Sequence, residues 1–131
     1  MEIQENLLNM KTIISTLVMI LLAAFITTTQ AQKKTYYTEQ EQIIEAAYNA
    51  LDQEMKEGEI LEWAKDQELK GAYTFDLAIR GKGEVVTVRA INREGGDIPS
   101  QNKLKDYLKT IRFPFKMPKN RSYKFQYEFK F

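Results

Sequence analysis

Apolar and polar residues alternate along the last ten positions of the chain, and this is its clearest pattern. Aromatic residues take every second position, namely Tyr123, Phe125, Tyr127, Phe129 and Phe131. The residues between them are polar or charged. A period of two places the rings on one face of a β-strand and the polar side chains on the other. The pattern therefore predicts a half-buried strand.

A β-hairpin is predicted upstream of that strand. Between residues 73 and 79, large apolar residues alternate with Thr, Asp and Ala, which is typical of a strand with one buried face. Gly81-Lys82-Gly83 is predicted to form the turn, because glycine adopts positive φ at little cost. The segment from 84 to 91 is rich in β-branched residues and is predicted to be the returning strand.

Two helices are predicted before the hairpin, over residues 38–57 and 59–69. The first has a helical stripe of apolar residues, formed by Ile43, Ile44, Ala47, Tyr48, Leu51 and Met55. Thr38 and Glu41 have the spacing of a capping box, in which each side chain bonds the other residue's backbone N–H. Gly58 separates the two helices.

A third helix is predicted after a loop over residues 93–99, with Ser100 as its N-cap. Its apolar face consists of Leu104, Tyr107, Leu108 and Ile111. Pro114 and Pro118 end this helix and keep the following chain extended. The order α-α-β-β-α-β predicts an α+β fold of two layers, in which helices cover an antiparallel sheet of at least three strands.

Residues 1–31 have the features of a secretory signal peptide. Residues 12–32 carry no charge, Lys11 precedes them, and small residues ending in Ala31 follow the apolar centre. We expect cleavage after Ala31, a single mature domain of residues 32–131, and a periplasmic or secreted location. The native start is expected at Met10, because residues 1–9 hold two acids and no base. The alternative is a retained membrane anchor formed by residues 12–30.

The composition restricts the chemistry open to this protein. The 131 residues include no His and no Cys, which excludes disulfides, Cys/His zinc sites and mechanisms that use Ser-His or Cys-His pairs. Acidic residues crowd the segment 54–68, but without the spacing of a Ca²⁺ loop, and they indicate a solvated helical face. We expect a non-enzymatic protein with no catalytic, cofactor-binding or metal-binding residue.

Charge is divided unevenly along the chain. Residues 32–70 hold 5 basic and 10 acidic residues, whereas residues 71–131 hold 13 basic and 6 acidic ones, although the whole chain has a net charge of +1. The basic half suits an acidic protein segment, an anionic glycan or lipid headgroups as a partner. The alternative is that the two halves neutralise each other within the fold. Nucleic acid is not expected as a partner, because the aromatic residues are in phase with the buried face.

Residues 71–131 resemble the C-terminal domain of the TonB energy-transducer family. In that family an apolar strand ends in Ile and is followed by three variable residues, Gly, one residue and Val, which corresponds here to Ile79-Arg80-Gly81-Lys82-Gly83-Glu84-Val85. Apolar positions continue at Val86, Val88 and Ile91. The resemblance then extends through an amphipathic helix ending in Phe113-Pro114 to a last strand with an aromatic end.

The chain also departs from that family. It lacks the paired Tyr-Pro motif before the hairpin and the acidic start of the second helix, and Asn120 stands where Gly is common. Its three prolines all follow residue 98, so it has no Pro-rich spacer like that of a full transducer. The resemblance therefore implies the fold and a binding role, not energy transduction.

These observations favour a protein-binding domain of the cell envelope that pairs with a peptide by β-augmentation at the last strand. The residues expected to contact the partner are Arg121, Lys124, Gln126, Glu128 and Lys130. One alternative is that the lysines only guard an edge strand against aggregation. Another is a membrane-anchored structural or assembly subunit of an envelope complex. No cofactor is expected.

Overall fold

The computed structural model describes residues 34–131. In chain order, the elements of these residues are β1 (Thr35–Tyr36), α1 (Gln40–Glu57), α2 (Glu59–Asp66), β2 (Ala72–Arg80), β3 (Glu84–Glu94), α3 (Ile98–Leu108), β4 (Phe115–Lys116) and β5 (Tyr123–Lys130). The main sheet is antiparallel, with strand order β3-β2-β5, and a small parallel sheet pairs β1 with β4. The α+β prediction is confirmed.

The inner face of the main sheet forms the core. The central strand β2 contributes four side chains that are at most 1% exposed, namely Tyr73, Phe75, Leu77 and Ile79. The residues opposite them in β5 are all aromatic, in the order Phe129, Tyr127, Phe125 and Tyr123. Phe75 and Phe129, for example, meet edge to face with ring centroids 6.1 Å apart. The alternation predicted for these two strands is therefore confirmed.

Helices cover this inner face and join it to the rest of the chain. On α1, Tyr48 packs edge to face on Phe125 of β5, with ring centroids 5.5 Å apart. The third helix, α3, packs beside β3 and buries Leu104 and Leu108.

The stack between Trp63 and Tyr107 joins α2 to α3. Its ring centroids are 4.1 Å apart and the planes differ by 5°. Both rings are half-buried, so this pair packs the helical layer together, and Tyr107 is less enclosed than a core residue.

The predicted caps of α1 and α3 are wrong. The first helical hydrogen bond of α1 runs from the Ile43 N–H to the Glu39 carbonyl, so Glu39 is the N-cap, and no side chain caps it. In α3 the cap is Asp97, whose Oδ1 accepts the Ser100 N–H at 2.8 Å. The helix therefore begins at Ile98 and takes Pro99 into its first turn, where a missing N–H is no disadvantage.

Two predicted helix ends are also too late. The cap of α2 is Gln67, and the next residue, Glu68, has φ 57°, which takes the chain out of the helix. Leu69 remains buried beyond that end. Likewise α3 ends at Leu108, and Ile111 lies outside it.

Two β-bulges in β3 interrupt the alternation of inward and outward side chains that is expected of a regular strand. The pairing register with β2 shifts between Thr74 and Phe75 and again between Ala78 and Ile79. Each shift leaves one extra residue in β3, and the two extra residues are Val86 and Ile91. They are 40% and 44% exposed, whereas Val85 and Val88 point into the core.

The segment before α1 has no regular sequence pattern and contains β1. Its parallel partner β4 lies between the two prolines of the predicted extended segment. The hairpin turn holds this region, because the Gly81 carbonyl accepts the Met117 N–H at 2.7 Å and the Gly83 carbonyl accepts the Phe113 N–H at 2.9 Å.

The predictions for the signal peptide, its cleavage after Ala31, the start at Met10 and the alternative anchor concern residues outside the described range. Within residues 34–131, no helix is long and apolar enough to span a lipid bilayer.

Candidate functional site

The last strand, β5, lies at an edge of the main sheet. It pairs with β2 on one side, and no other strand of residues 34–131 pairs with its second side. Its register is unbroken from Tyr123 opposite Ile79 to Lys130 opposite Ala72. At about 3.4 Å per residue, this edge is roughly 27 Å long. It is long and regular enough to receive an extended peptide.

Backbone geometry decides which residues of β5 face the free edge. Gly71 and Phe131 exchange two hydrogen bonds, N–H to carbonyl, of 3.4 and 3.0 Å. In an antiparallel ladder such pairs alternate with pairs whose backbone groups point away from the partner strand. The odd-numbered residues of β5 therefore bond β2. The N–H and carbonyl groups that point to the free edge belong to Lys124, Gln126, Glu128 and Lys130.

The structure thus places together four of the five residues predicted to contact a partner. Their side chains are all exposed, and in each the backbone groups are also directed outward at the edge. The fifth, Arg121, precedes the strand, and its guanidinium carbon lies 5.0 Å from the centre of the Tyr123 ring. This cation–π contact holds Arg121 beside the start of β5.

The opposite edge of the sheet, on β3, has a different geometry. The two bulges at Val86 and Ile91 interrupt its row of backbone groups. At its start, Glu84 forms a bridge with Arg112, so part of this edge is already paired. Bulges and covered ends are the usual protection of an edge strand against further pairing. Among the described strands, β5 is therefore the regular free edge.

The charges along β5 are not uniform. The Lys130 ammonium lies 3.0 Å from Glu128 Oε1, so these two charges compensate each other locally. Both side chains are largely exposed, and such a pair adds little stability. Lys124 forms no ion pair with any carboxylate of residues 34–131. The excess positive charge of the edge is therefore at its beginning, on Arg121 and Lys124.

A polar network on the outer face of the sheet lies beside that positive end. Arg89 of β3 donates a hydrogen bond of 2.7 Å to Asp76 of β2. This bond lowers the pKa of the Asp76 carboxyl, a hydrogen bond from Gln126 and the charge on Lys124 lower it further, and desolvation opposes the shift. Gln126 lies directly opposite Asp76 in the strand register, and its backbone groups remain directed to the free edge.

Neither the acidic segment 54–68 nor the hairpin turn at residues 81–83 forms a binding site comparable to the β5 edge. Among residues 34–131, no three carboxylates lie close enough together to hold a metal ion. Glu54 instead accepts the Ile60 N–H at 3.2 Å and so caps the start of α2. Gly83 packs against the backbone of Phe113, which is consistent with a structural turn.

A groove of about 530 Å³ separates α1 and α2 from the chain that follows α3. Tyr107 faces it together with Glu54 and Glu59. Burial raises the pKa of the Tyr107 hydroxyl, and the negative charges of Glu59 and Glu54 add to that shift. The opposite wall holds Arg112 and Phe113.

Sequence reasoning identified the outward side chains of β5 but missed the direction of their backbone groups. That direction follows from the two hydrogen bonds between Gly71 and Phe131, and the sequence pattern within β5 does not reveal this pairing. Comparison of the chain with protein-family models, with curated proteins and with solved structures finds no match.

Proposed function

We propose that this protein is a non-enzymatic binding domain that takes up an extended peptide as a fourth strand along β5. The observation that carries the proposal is the row of outward backbone groups on Lys124, Gln126, Glu128 and Lys130. A peptide laid against this row gains main-chain hydrogen bonds at intervals of two residues, which is the basis of β-augmentation.

Side chains beside the edge give the partner its chemistry. On the outer side, Lys124 and Arg121 favour an acidic residue near the start of β5. On the inner side, Tyr48 is 38% exposed and lies next to the ring of Tyr127. Because side chains of a strand alternate between faces, the partner is expected to alternate acidic or polar residues with apolar ones.

The resemblance of residues 71–131 to TonB C-terminal domains supports the same mode of binding. It also favours a partner in the bacterial cell envelope, where the proposed signal peptide would deliver the domain. The absence of His and Cys from the sequence supports a binding role over acid–base or thiol chemistry.

The experiment that tests this function uses proline to remove one outward N–H. Peptides are selected from a displayed random library on the full chain, and their dissociation constants are then measured. Gln126→Pro deletes an N–H that faces the edge and leaves the ladder to β2 intact, because proline is tolerated at such positions. We expect at least a tenfold loss of affinity, since one net hydrogen bond contributes about 1 kcal/mol and the ring also obstructs the edge.

The matched control is Gln126→Ala, which removes the side chain and keeps the N–H. β-Augmentation is supported if the peptides bind the alanine variant as tightly as wild type but bind the proline variant weakly. Charge reversal with Lys124→Glu and Lys130→Glu is expected to weaken acidic peptides and to spare the fold. Equal binding to Gln126→Pro and wild type would overturn the proposal, and so would a selection that yields no peptide.

A further inference from the structure

A second positively charged surface lies at the hairpin turn, close to the first described residue. A concavity of about 310 Å³ is lined by Tyr36, Gly81, Lys82, Lys116, Met117 and Lys119. Lys34 adjoins it, because its ammonium donates a hydrogen bond of 3.3 Å to the Lys82 carbonyl. We call Lys34, Tyr36, Lys82, Lys116 and Lys119 the basic patch.

The backbone around the basic patch is held by hydrogen bonds between three separate segments. The parallel pairing of β1 with β4 aligns Tyr36 with Lys116. The Met117 N–H bonds the Gly81 carbonyl, and the Gly81 N–H bonds the Pro118 carbonyl at 3.3 Å. The lysines therefore project from a fixed surface and need no ordering of the backbone to act together.

The charge of the basic patch is not compensated by ion pairs. None of its four lysines forms an ion pair with a carboxylate of residues 34–131. Glu84 borders the patch at Gly81 but is a single carboxylate against four ammonium groups. Tyr36 adds an aromatic side chain that is 57% exposed. Clustered lysines with an exposed tyrosine suit the headgroup region of a membrane, where anionic lipids attract lysine and tyrosine lies at the interface.

We propose that the basic patch docks the domain on a bilayer surface rich in anionic lipids. The exposed Tyr36 beside the lysines favours a bilayer over nucleic acid, because tyrosine is enriched at the interface between membrane and water. This inference does not depend on peptide binding at β5, from which the patch is distinct in its residues.

The test measures binding of the full chain to lipid vesicles by sedimentation. One set is phosphatidylcholine alone, and the other contains about a third phosphatidylglycerol. Residues 1–33 are the same in all variants, so the contribution of the patch is the difference in binding between the two sets of vesicles. The combined variant Lys82→Gln, Lys116→Gln and Lys119→Gln removes three patch charges.

We expect this variant to lose about a hundredfold of the anion-dependent partition coefficient, since each lysine near such a surface contributes about fivefold. The loss should shrink in high salt, which screens exposed charges. The control is Lys56→Gln, Lys65→Gln and Lys109→Gln, which removes the same charge from exposed positions elsewhere and should retain the preference for anionic vesicles.

Three results would overturn the proposal. The wild type could show no preference for anionic vesicles, or the two triple variants could lose that preference equally, which would reveal an effect of net charge alone. The third is that duplex DNA displaces the wild type from anionic vesicles and itself binds through the same three lysines. Unfolding curves of both variants that match the wild type establish that a loss on vesicles is not a loss of the fold.

Discussion

The hydroxyl of Tyr127 donates a hydrogen bond of 2.6 Å to Asp52 Oδ1, across 75 residues of sequence. It connects the edge strand β5 to the helix α1 that packs on the inner face of the sheet. The phenol ring is half-buried against Tyr48 and Phe129, with ring centroids 6.2 and 4.8 Å away. The edge strand β5 is thus held to α1 by a hydrogen bond as well as by packing on the inner face of the sheet.

Replacing Tyr127 with Phe is expected to lower the free energy of unfolding by about 1 kcal/mol, the usual net value of one hydrogen bond. The ring is retained, so packing is unchanged. Asp52→Ala should cost a similar amount, and the double variant no more than either single one, in a cycle measured by urea unfolding. Fully additive losses would mean that the two groups do not interact.

The same contact makes stability depend on pH at the alkaline end. Burial raises the pKa of the Tyr127 hydroxyl, and the hydrogen bond to Asp52 and its negative charge add to the shift. Because the pKa is higher in the folded than in the unfolded chain, the stabilisation is complete below the ordinary tyrosine pKa of about 10 and is lost as the pH rises above it. The penalty of Tyr127→Phe should therefore shrink above that pH. A penalty that stayed constant across the alkaline range would contradict this.

The turn between β2 and β3 offers a matched pair of glycines. Gly83 has φ +89°, and a β-carbon there would collide with the backbone of Phe113. Gly81 has φ +60°, and its nearest contact for a β-carbon is Lys119 Cγ at 3.6 Å. Gly81→Ala should cost about 1 kcal/mol for positive φ, whereas Gly83→Ala should cost clearly more. If thermal unfolding showed equal losses of stability for the two variants, the backbone of Gly83 would not lie tightly against Phe113.

The bulges of β3 predict an unusual pattern of tolerance among its apolar residues. Val86→Thr and Ile91→Thr should each change the free energy of unfolding by at most about 0.5 kcal/mol, as at other surface positions. Val88→Thr buries a hydroxyl at a site only 6% exposed and should cost about 1–3 kcal/mol. A large loss at Val86 or Ile91 would place that side chain in the core and remove the bulge.

The strands and helices with a long regular pattern were predictable from the sequence. Aromatic residues at every second position of β5 and the alternation in β2 leave one choice of face, because a slip of one residue would bury charges. The bulges were not predictable, since Val86 and Ile91 suit a buried and an exposed position equally well. β1 and β4 are two residues long, which is too short for any period.

The helix caps and the free backbone groups of β5 could not be predicted from the sequence, for a different reason. Thr38 and Ser100 are both suitable cap residues, but the caps are Glu39 and Asp97. Asp97 suits a cap as well as Ser100 does, so residue type does not decide between these two. The outward side chains of the candidate site followed from alternation. The free backbone groups followed only from the pairing of β5 with β2.

Those free groups predict an alternating protection of amides in β5 against hydrogen exchange. The N–H groups of Phe125, Tyr127 and Phe129 bond β2 and should open only with the sheet, whereas those of Lys124, Gln126 and Glu128 face the edge and should exchange much faster. Residue-resolved exchange measured by NMR distinguishes the two sets. In the central strand β2, with neighbours on both sides, every amide should be slow, which serves as the internal control. A selected peptide bound at the edge should slow the even-numbered amides and leave the others unchanged. Uniform protection of β5 without added peptide would mean that another strand already occupies this edge.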